Sequence, residues 1–193
     1  MLGVAFLCGA VPFSNIAARL ARGVDLRDVG TGTVSGTSLH EVAGFGPLAA
    51  AGVLEVAKGS VGPLLAGRGR PVLAAVAGGA AVAGHNWSPF LRGAGGRGIS
   101  PATGALLVSA PVGSAVLMGG LAAGRLARQT ALVSLLADVA LVPVARRLHG
   151  RRGGMAAAAI VGVIVAKRLA GNAPPSRAAR WTTLRNRLLF DRD

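Results

Sequence analysis

Hydrophobic residues run through this chain in blocks whose lengths suit a bilayer. Apolar stretches cover roughly residues 1–20, 42–66, 71–91, 101–123, 129–145 and 154–170, each close to the about 20 residues a membrane-spanning helix needs. Glycine and proline interrupt them often, which membrane helices tolerate when neighbours satisfy the freed backbone. Small residues recur at spacings of three and four, as in "GGAAVAG" and "GSAVLMGGLAAG", so that helices can approach closely. The pattern predicts an all-α, polytopic membrane bundle of about five to seven spans, built as a single integral-membrane domain over residues 1–172. A basic tail, residues 173–193, follows. There Trp181, Leu184 and Leu188 fall at helical spacing opposite arginines, which suits either an interfacial helix or a disordered tail.

Composition sharpens this picture. The 193 residues are 52% hydrophobic and 15% charged, against roughly 25% charged in soluble domains, and the mean hydropathy is +0.56. The net charge of +14 raises nucleic acid as a partner. Aromatic residues for base stacking make up only 4%, however, and the arginines sit in short clusters between apolar runs, as they do when they face anionic lipid. No nucleic-acid partner is expected. Cys8 is the only cysteine, and His40, His85 and His149 show no ligand spacing, so neither metal nor cofactor is expected. The first charge, Arg19, follows the first apolar block. That order predicts an uncleaved first span with its N-terminus outside, in a multi-pass protein of the cell (inner) membrane.

The polar loops carry the candidate chemistry. The first interspan loop contains Arg19, Arg22 and Arg27 and reads as cytoplasmic. A hairpin of segments 42–66 and 71–91 then returns "RGAGGRG", with Arg92 and Arg97, to the same face. The run "RRLHGRR" (146–152) also reads as cytoplasmic. A crossing by 154–170 would then strand the basic tail outside, so the charge rule demands a re-entrant segment or a further crossing. Glycine-rich loops expose backbone N–H groups that form anion-binding nests, and arginine adds a planar permanent charge suited to phosphate. Both loops fit phosphate binding, and both also fit plain flexible connectors. Within segment 42–66, Glu55 and Lys58 share a helix face; they are either functional ionisable groups or a neutralising packing pair. Asp138 needs an arginine partner that the sequence does not identify. His85 can serve as a general base or as a hydrogen-bonded loop residue, and Trp87 beside it suits an interface anchor.

Three stretches together go further. "VPFSNIAARLARGVDLRDVGTGTVSGTS", "LEVAKGSVGPLLA" and "VAGHNWSPFLRGAGGRGIS" resemble, in order and spacing, the three signatures of the PlsY-type membrane glycerol-3-phosphate acyltransferases. "AKRLAGN" echoes that family's C-terminal segment. The resemblance implies transfer of an acyl chain from acyl phosphate to glycerol-3-phosphate, giving lysophosphatidic acid in phospholipid synthesis, with both substrates and membrane lipid as partners. It implies one phosphate-binding wall from Ser14, Arg27, Gly30, Thr31, Gly32, Thr33, Thr37 and Ser38. A second wall would come from His85, Asn86, Ser88, Gly95, Gly96, Arg97 and Gly98, with Lys58 supporting the site and Glu55 orienting it. His85, Arg97 and Lys58 are the implied catalytic residues.

The departures are specific. The family's Gly-Ser-Gly-Asn reads Gly30-Thr31-Gly32-Thr33, and the lysine of its Gly-Gly-Lys-Gly is Arg97. Its C-terminal His-x-x-Asn falls on Gly162 and Val165. An alternative therefore stands beside the enzyme: a catalytically impaired paralogue that binds lipid phosphate or a membrane partner. A small transporter would need paired broken helices around a midplane site, whereas the polar clusters here lie at span ends.

Overall fold

The structure, a computed structural model, describes residues 1–30, 32–171 and 180–190. The expected loop residue Thr31 lies outside the described residues, as do 172–179 and 191–193 of the tail. Among the described residues the regular elements are helical: α1 (Leu2–Ala10), α2 (Phe13–Arg22), α3 (Gly36–Ala43), α4 (Phe45–Ala66), α5 (Pro71–Asn86), α6 (Ile99–Ser109), α7 (Pro111–Leu126), α8 (Thr130–Ala170) and α9 (Arg180–Phe190). Leu2–Arg22, Phe45–Ala66 and Thr130–Ala170 are long and apolar enough to cross a membrane.

Proline and glycine decide where the apolar blocks break. Pro12 has no N–H to continue a helix, so the first block divides into α1 and α2. The block expected over 101–123 is two helices. Ala110 precedes Pro111 and is driven out of helical backbone, at φ −160° and ψ 75°. α6 and α7 then fold back on each other, with Ser114 Oγ donating to the Thr103 carbonyl at 2.9 Å. α8 likewise turns at Gly150, whose φ of 64° and ψ of −158° break the helix. Its arms are antiparallel, because Arg168 near the end donates to the Ala131 carbonyl at 2.9 Å and to Ser134 Oγ at 3.0 Å near the start. These arms are the segments expected over 129–145 and 154–170. Arg168 is also the arginine whose charge acts on Asp138.

The split at Ala110 adds one reversal of direction along the bundle. α1, α5, α7 and the second arm of α8 run toward the glycine loops; α4, α6 and the first arm run away. The reading that put "RRLHGRR" on the same face as those loops is therefore corrected. His149 Nε2 accepts from the Val112 N–H at 3.4 Å, at the start of α7 and the opposite end of the bundle. The tail returns to the loop end, where Arg187 donates to the Leu169 and Ala170 carbonyls at 3.1 and 2.7 Å.

Two apolar clusters result. One fills the bundle between α5, α6, α7 and α8, around Val82, Leu106, Leu141 and Ile160. The other lies at the loop end and gathers Leu26, Val34, Leu39 and Leu91. Leu26 and Val34 belong to the first glycine loop and Leu91 to the second, so burying them together brings the two loops to one place.

Candidate functional site

The site grows from Glu55, in the middle of α4 and only 3% exposed. A buried carboxylate is costly unless it is paired and hydrogen-bonded, and this one is both. Its Oε1 accepts from the Ser14 N–H at 3.1 Å and from Ser14 Oγ at 3.2 Å, at the N-terminus of α2. Its Oε2 lies 2.6 Å from Lys58 Nζ and 3.0 Å from His85 Nδ1. These are ion-pair distances rather than well-aligned hydrogen bonds, since Oε2 meets no hydrogen-bond geometry. Lys58 completes its shell with the Val11 carbonyl at 2.6 Å and with the Phe13 ring, whose centroid is 5.7 Å from Nζ. The break between α1 and α2 thus has a use: it frees the carbonyl that holds Lys58.

His85 Nδ1 also lies 3.1 Å from Lys58 Nζ. Nδ1 thus lies between the Lys58 amine and the Glu55 carboxylate, and Nε2 faces the second glycine loop. A Cβ on Gly96 would come within 2.5 Å of Nε2, and one on Gly95 within 2.2 Å of the His85 carbonyl. Only glycine lets that strand lie against the imidazole. Beside the ring is a crevice lined by Pro12, Val34, Ser88, Gly95 and Gly96. Gly98 sits at φ +79°, and a Cβ there would meet Asn86 Oδ1 at 2.6 Å. Asn86 and Ser88 are buried behind the loop. Ser88 Oγ donates to the Ala10 carbonyl at 2.7 Å, and Asn86 Nδ2 reaches the Val163 carbonyl at 3.5 Å.

The first loop is organised differently, with its polar groups turned largely on one another. Asp25 holds Arg27, whose Nη2 is 2.7 Å from Oδ2, and it also pairs with Arg19. The Arg27 guanidinium, ahead of the partly opposing burial and the Arg19 contact, holds the Asp25 carboxyl well below the usual carboxylate range; Asp25 in turn raises Arg27. Ser35 caps α3 by accepting from the Ser38 N–H at 3.2 Å. Ser38 Oγ donates to the Thr33 carbonyl at 2.9 Å, and Thr37 Oγ1 accepts from Arg125 Nη2 at 2.8 Å. Gly30 and Gly32 both have positive φ, 56° and 68°, and serve the turn.

Of the sequence-derived candidates, Ser14, Lys58, His85, Gly95 and Gly96 come together, with Glu55 at their centre. Arg27, Thr37 and Ser38 are engaged within or beside the first loop. Lys167 was missed. It is 2% exposed, lies over the Trp87 ring at 5.3 Å from the centroid, and is near enough to Arg97 to feel its charge. A lysine in the last turn of an apolar helix was the available signal, since ionisable groups in such segments are functional candidates. Asn15 was missed too; its Oδ1 accepts from the Leu26 N–H at 2.7 Å and so holds the first loop. Among the described residues, no cluster of His, Cys, Asp and Glu could hold a metal ion.

Known proteins are similar to this chain. A family profile described as "Glycerol-3-phosphate acyltransferase" matches residues 1–174. The chain is 37% identical over 153 residues to the glycerol-3-phosphate acyltransferase of Desulforudis audaxviator, covering 78% of this chain and 76% of that protein. It is 38% identical over 153 residues to that of Caulobacter vibrioides, covering 75% and 70%. To glycerol-3-phosphate acyltransferase 5 of Dehalococcoides mccartyi it is 36% identical over 147 residues, covering 75% of this chain and 63% of that one. Among solved structures, the glycerol 3-phosphate form of PlsY, an integral membrane glycerol 3-phosphate acyltransferase, matches with a TM-score of 0.77 at 24% identity, covering 100% of this chain and 92% of that chain. Its lysophosphatidic acid form matches with a TM-score of 0.76 at 21% identity, covering 100% and 91%. At those identities the likeness carries the fold, an integral-membrane helix bundle.

Proposed function

This chain belongs to the glycerol-3-phosphate acyltransferase family, and on that premise we propose that its site moves an acyl chain from acyl phosphate to the first hydroxyl of glycerol-3-phosphate. The hydroxyl oxygen attacks the acyl carbonyl carbon. The bond from that carbon to the phosphate oxygen breaks, and phosphate leaves with the electron pair. The hydroxyl proton passes to His85 Nε2 and on to the departing phosphate, leaving lysophosphatidic acid and inorganic phosphate. Most of the rate comes from positioning and from fixed charge at the phosphates.

The observation that carries this reading is the Glu55–Lys58–His85 cluster packed under Gly95 and Gly96. Glu55 positions His85 and pairs with Lys58 in a buried place. Gly95, Gly96 and Gly98 let the loop backbone approach, and Arg97 supplies charge for a substrate phosphate. Ser14 supports Glu55, and Asn86 and Ser88 hold the end of α5 against its neighbours. The first loop, from Arg27 through Gly30, Gly32, Thr33, Thr37 and Ser38, forms the facing wall.

The test is reconstitution of the full chain in liposomes with acyl phosphate and glycerol-3-phosphate, reading lysophosphatidic acid. Formation above empty liposomes is expected. No formation, with a family enzyme active alongside, leaves only phosphate or partner binding. We further propose that the protein is multi-pass in the cell (inner) membrane, with the glycine loops cytoplasmic and the N-terminus outside. Thr33→Cys and Ala94→Cys, each in a Cys8→Ala background, should then label from the cytoplasmic side. Labelling from opposite sides would remove the shared site.

A further inference from the structure

The arginines at the other end of the bundle take no part in the site. Arg146, Arg147, Arg151 and Arg152 flank the Gly150 turn of α8, and Arg68 and Arg70 lie in the turn between α4 and α5 at the same end. Among the described residues none of these six forms an ion pair; the described ion pairs involve only Arg19, Asp25, Arg27, Glu55, Lys58 and His85. Arg152 Nε is buried without a hydrogen-bond partner. Such a concentration of unpaired guanidinium groups repels itself, and the group that relieves it is an anion, with phosphate matching the guanidinium fork.

The surface leading to this turn says what carries the phosphate. On the first arm of α8, Leu132, Leu136, Val139 and Pro143 are exposed at steps of three and four residues, and the same face then presents exposed Arg146 and Arg147. It is one continuous stripe, apolar along its length and cationic at its end. From Leu132 to Arg147 it rises about 22 Å at 1.5 Å per residue, more than half of a hydrocarbon core roughly 30 Å thick. That spans the depth of one leaflet, so an acyl chain against the stripe puts its headgroup at the arginines.

We infer that the Gly150 turn, through Arg146, Arg147, Arg151 and Arg152, binds the phosphate headgroup of an anionic phospholipid, in the leaflet opposite the glycine loops, with its acyl chain along the Leu132–Pro143 stripe. The site is separate from the proposed acyl-transfer site by the length of the bundle, and it stands whether or not acyl transfer does.

Native mass spectrometry of the full chain in detergent tests it, with phosphatidylglycerol, phosphatidylcholine and inorganic phosphate as probes. Phosphatidylglycerol should be retained in preference to phosphatidylcholine. Arg146→Gln/Arg147→Gln and Arg151→Gln/Arg152→Gln should each weaken retention, by about fivefold per arginine removed. Arg146→Lys/Arg147→Lys should keep most of it, and Arg22→Gln, in the exposed last turn of α2, should leave it unchanged. Equal retention of phosphatidylcholine, or undiminished retention in both glutamine pairs, overturns the site. Displacement of the lipid by millimolar inorganic phosphate would overturn the lipid assignment in favour of a free anion.

Discussion

The two glycine-rich loops are alike in composition and unlike in physics. In the loop after α5, a Cβ on Gly95, Gly96 or Gly98 would strike the His85 carbonyl, the His85 ring or the Asn86 amide, at 2.2, 2.5 and 2.6 Å. In the loop between α2 and α3, a Cβ on Gly30 would meet nothing within 4 Å, and one on Gly32 only the Arg27 carbonyl, at 3.1 Å. The second loop needs glycine so that its backbone can lie on the Glu55–Lys58–His85 cluster. The first needs glycine for positive φ at a turn and satisfies its polar side chains internally, through Asp25 with Arg27 and Ser38 with Thr33. The surroundings of one loop are full, and the charges of the other hold one another.

Variants can press on that contrast. The largest effect should come from the cluster on which the second loop rests. Glu55→Gln strands Lys58 in a buried place, and breaking a buried pair costs about 3–5 kcal/mol. A matching fall in thermal stability in detergent micelles is expected; an unchanged melting temperature would mean that Lys58 is neutralised elsewhere. Next is Arg97→Ala, which should weaken substrate use by about tenfold to 150-fold, the worth of a hydrogen bond to a charged group. Arg97→Lys should keep much of the activity, and kinetics in liposomes separate the two. If Arg97→Ala turns over like the parent, Arg97 is only an interface anchor.

Gly95→Ala against Gly30→Ala tests the contrast directly. The first should cost about 1–3 kcal/mol by overpacking and should also abolish turnover, because the loop must leave His85. The second should cost about 1 kcal/mol of backbone strain and leave most activity. Similar losses in both would erase the distinction. The smallest effect concerns Asp25. Its folded carboxyl titrates below the value of about 3.9 for a free aspartate, so its contribution is fully present above that value and is lost as pH falls through the lower folded one. Hydrogen exchange over residues 25–30 should therefore quicken only in that acidic window, and Asp25→Asn should quicken it already at neutral pH.

Much of this was legible in the chain. The apolar blocks placed most of the helices, and the motif order placed His85 and Lys58 together with Gly95 and Gly96. Illegible was the split at Ala110 and Pro111, because an apolar run with one proline reads equally as a kinked span or as two helices. The engagement of Arg27 by Asp25 was also hidden, although the two are close in sequence, since composition does not say whether an arginine faces a ligand or a neighbour. Asp138 found its arginine, Arg168, only when the two arms of α8 folded together.

The sequence by itself determined that this is a helical membrane protein of the acyltransferase family, because hydropathy, small-residue spacing and motif order are local properties of a chain in a bilayer. The tertiary structure decided which end of the bundle each basic cluster occupies, that Lys167 stands beside Trp87 and Arg97, and that Glu55 joins Ser14, Lys58 and His85. Those pairings depend on where α1, α2, α4, α5 and α8 cross. Crossing is set by glycines packing against distant backbone, as Gly9 does on Ala81 and Gly59 on Pro101, and no local pattern in the chain names the partner.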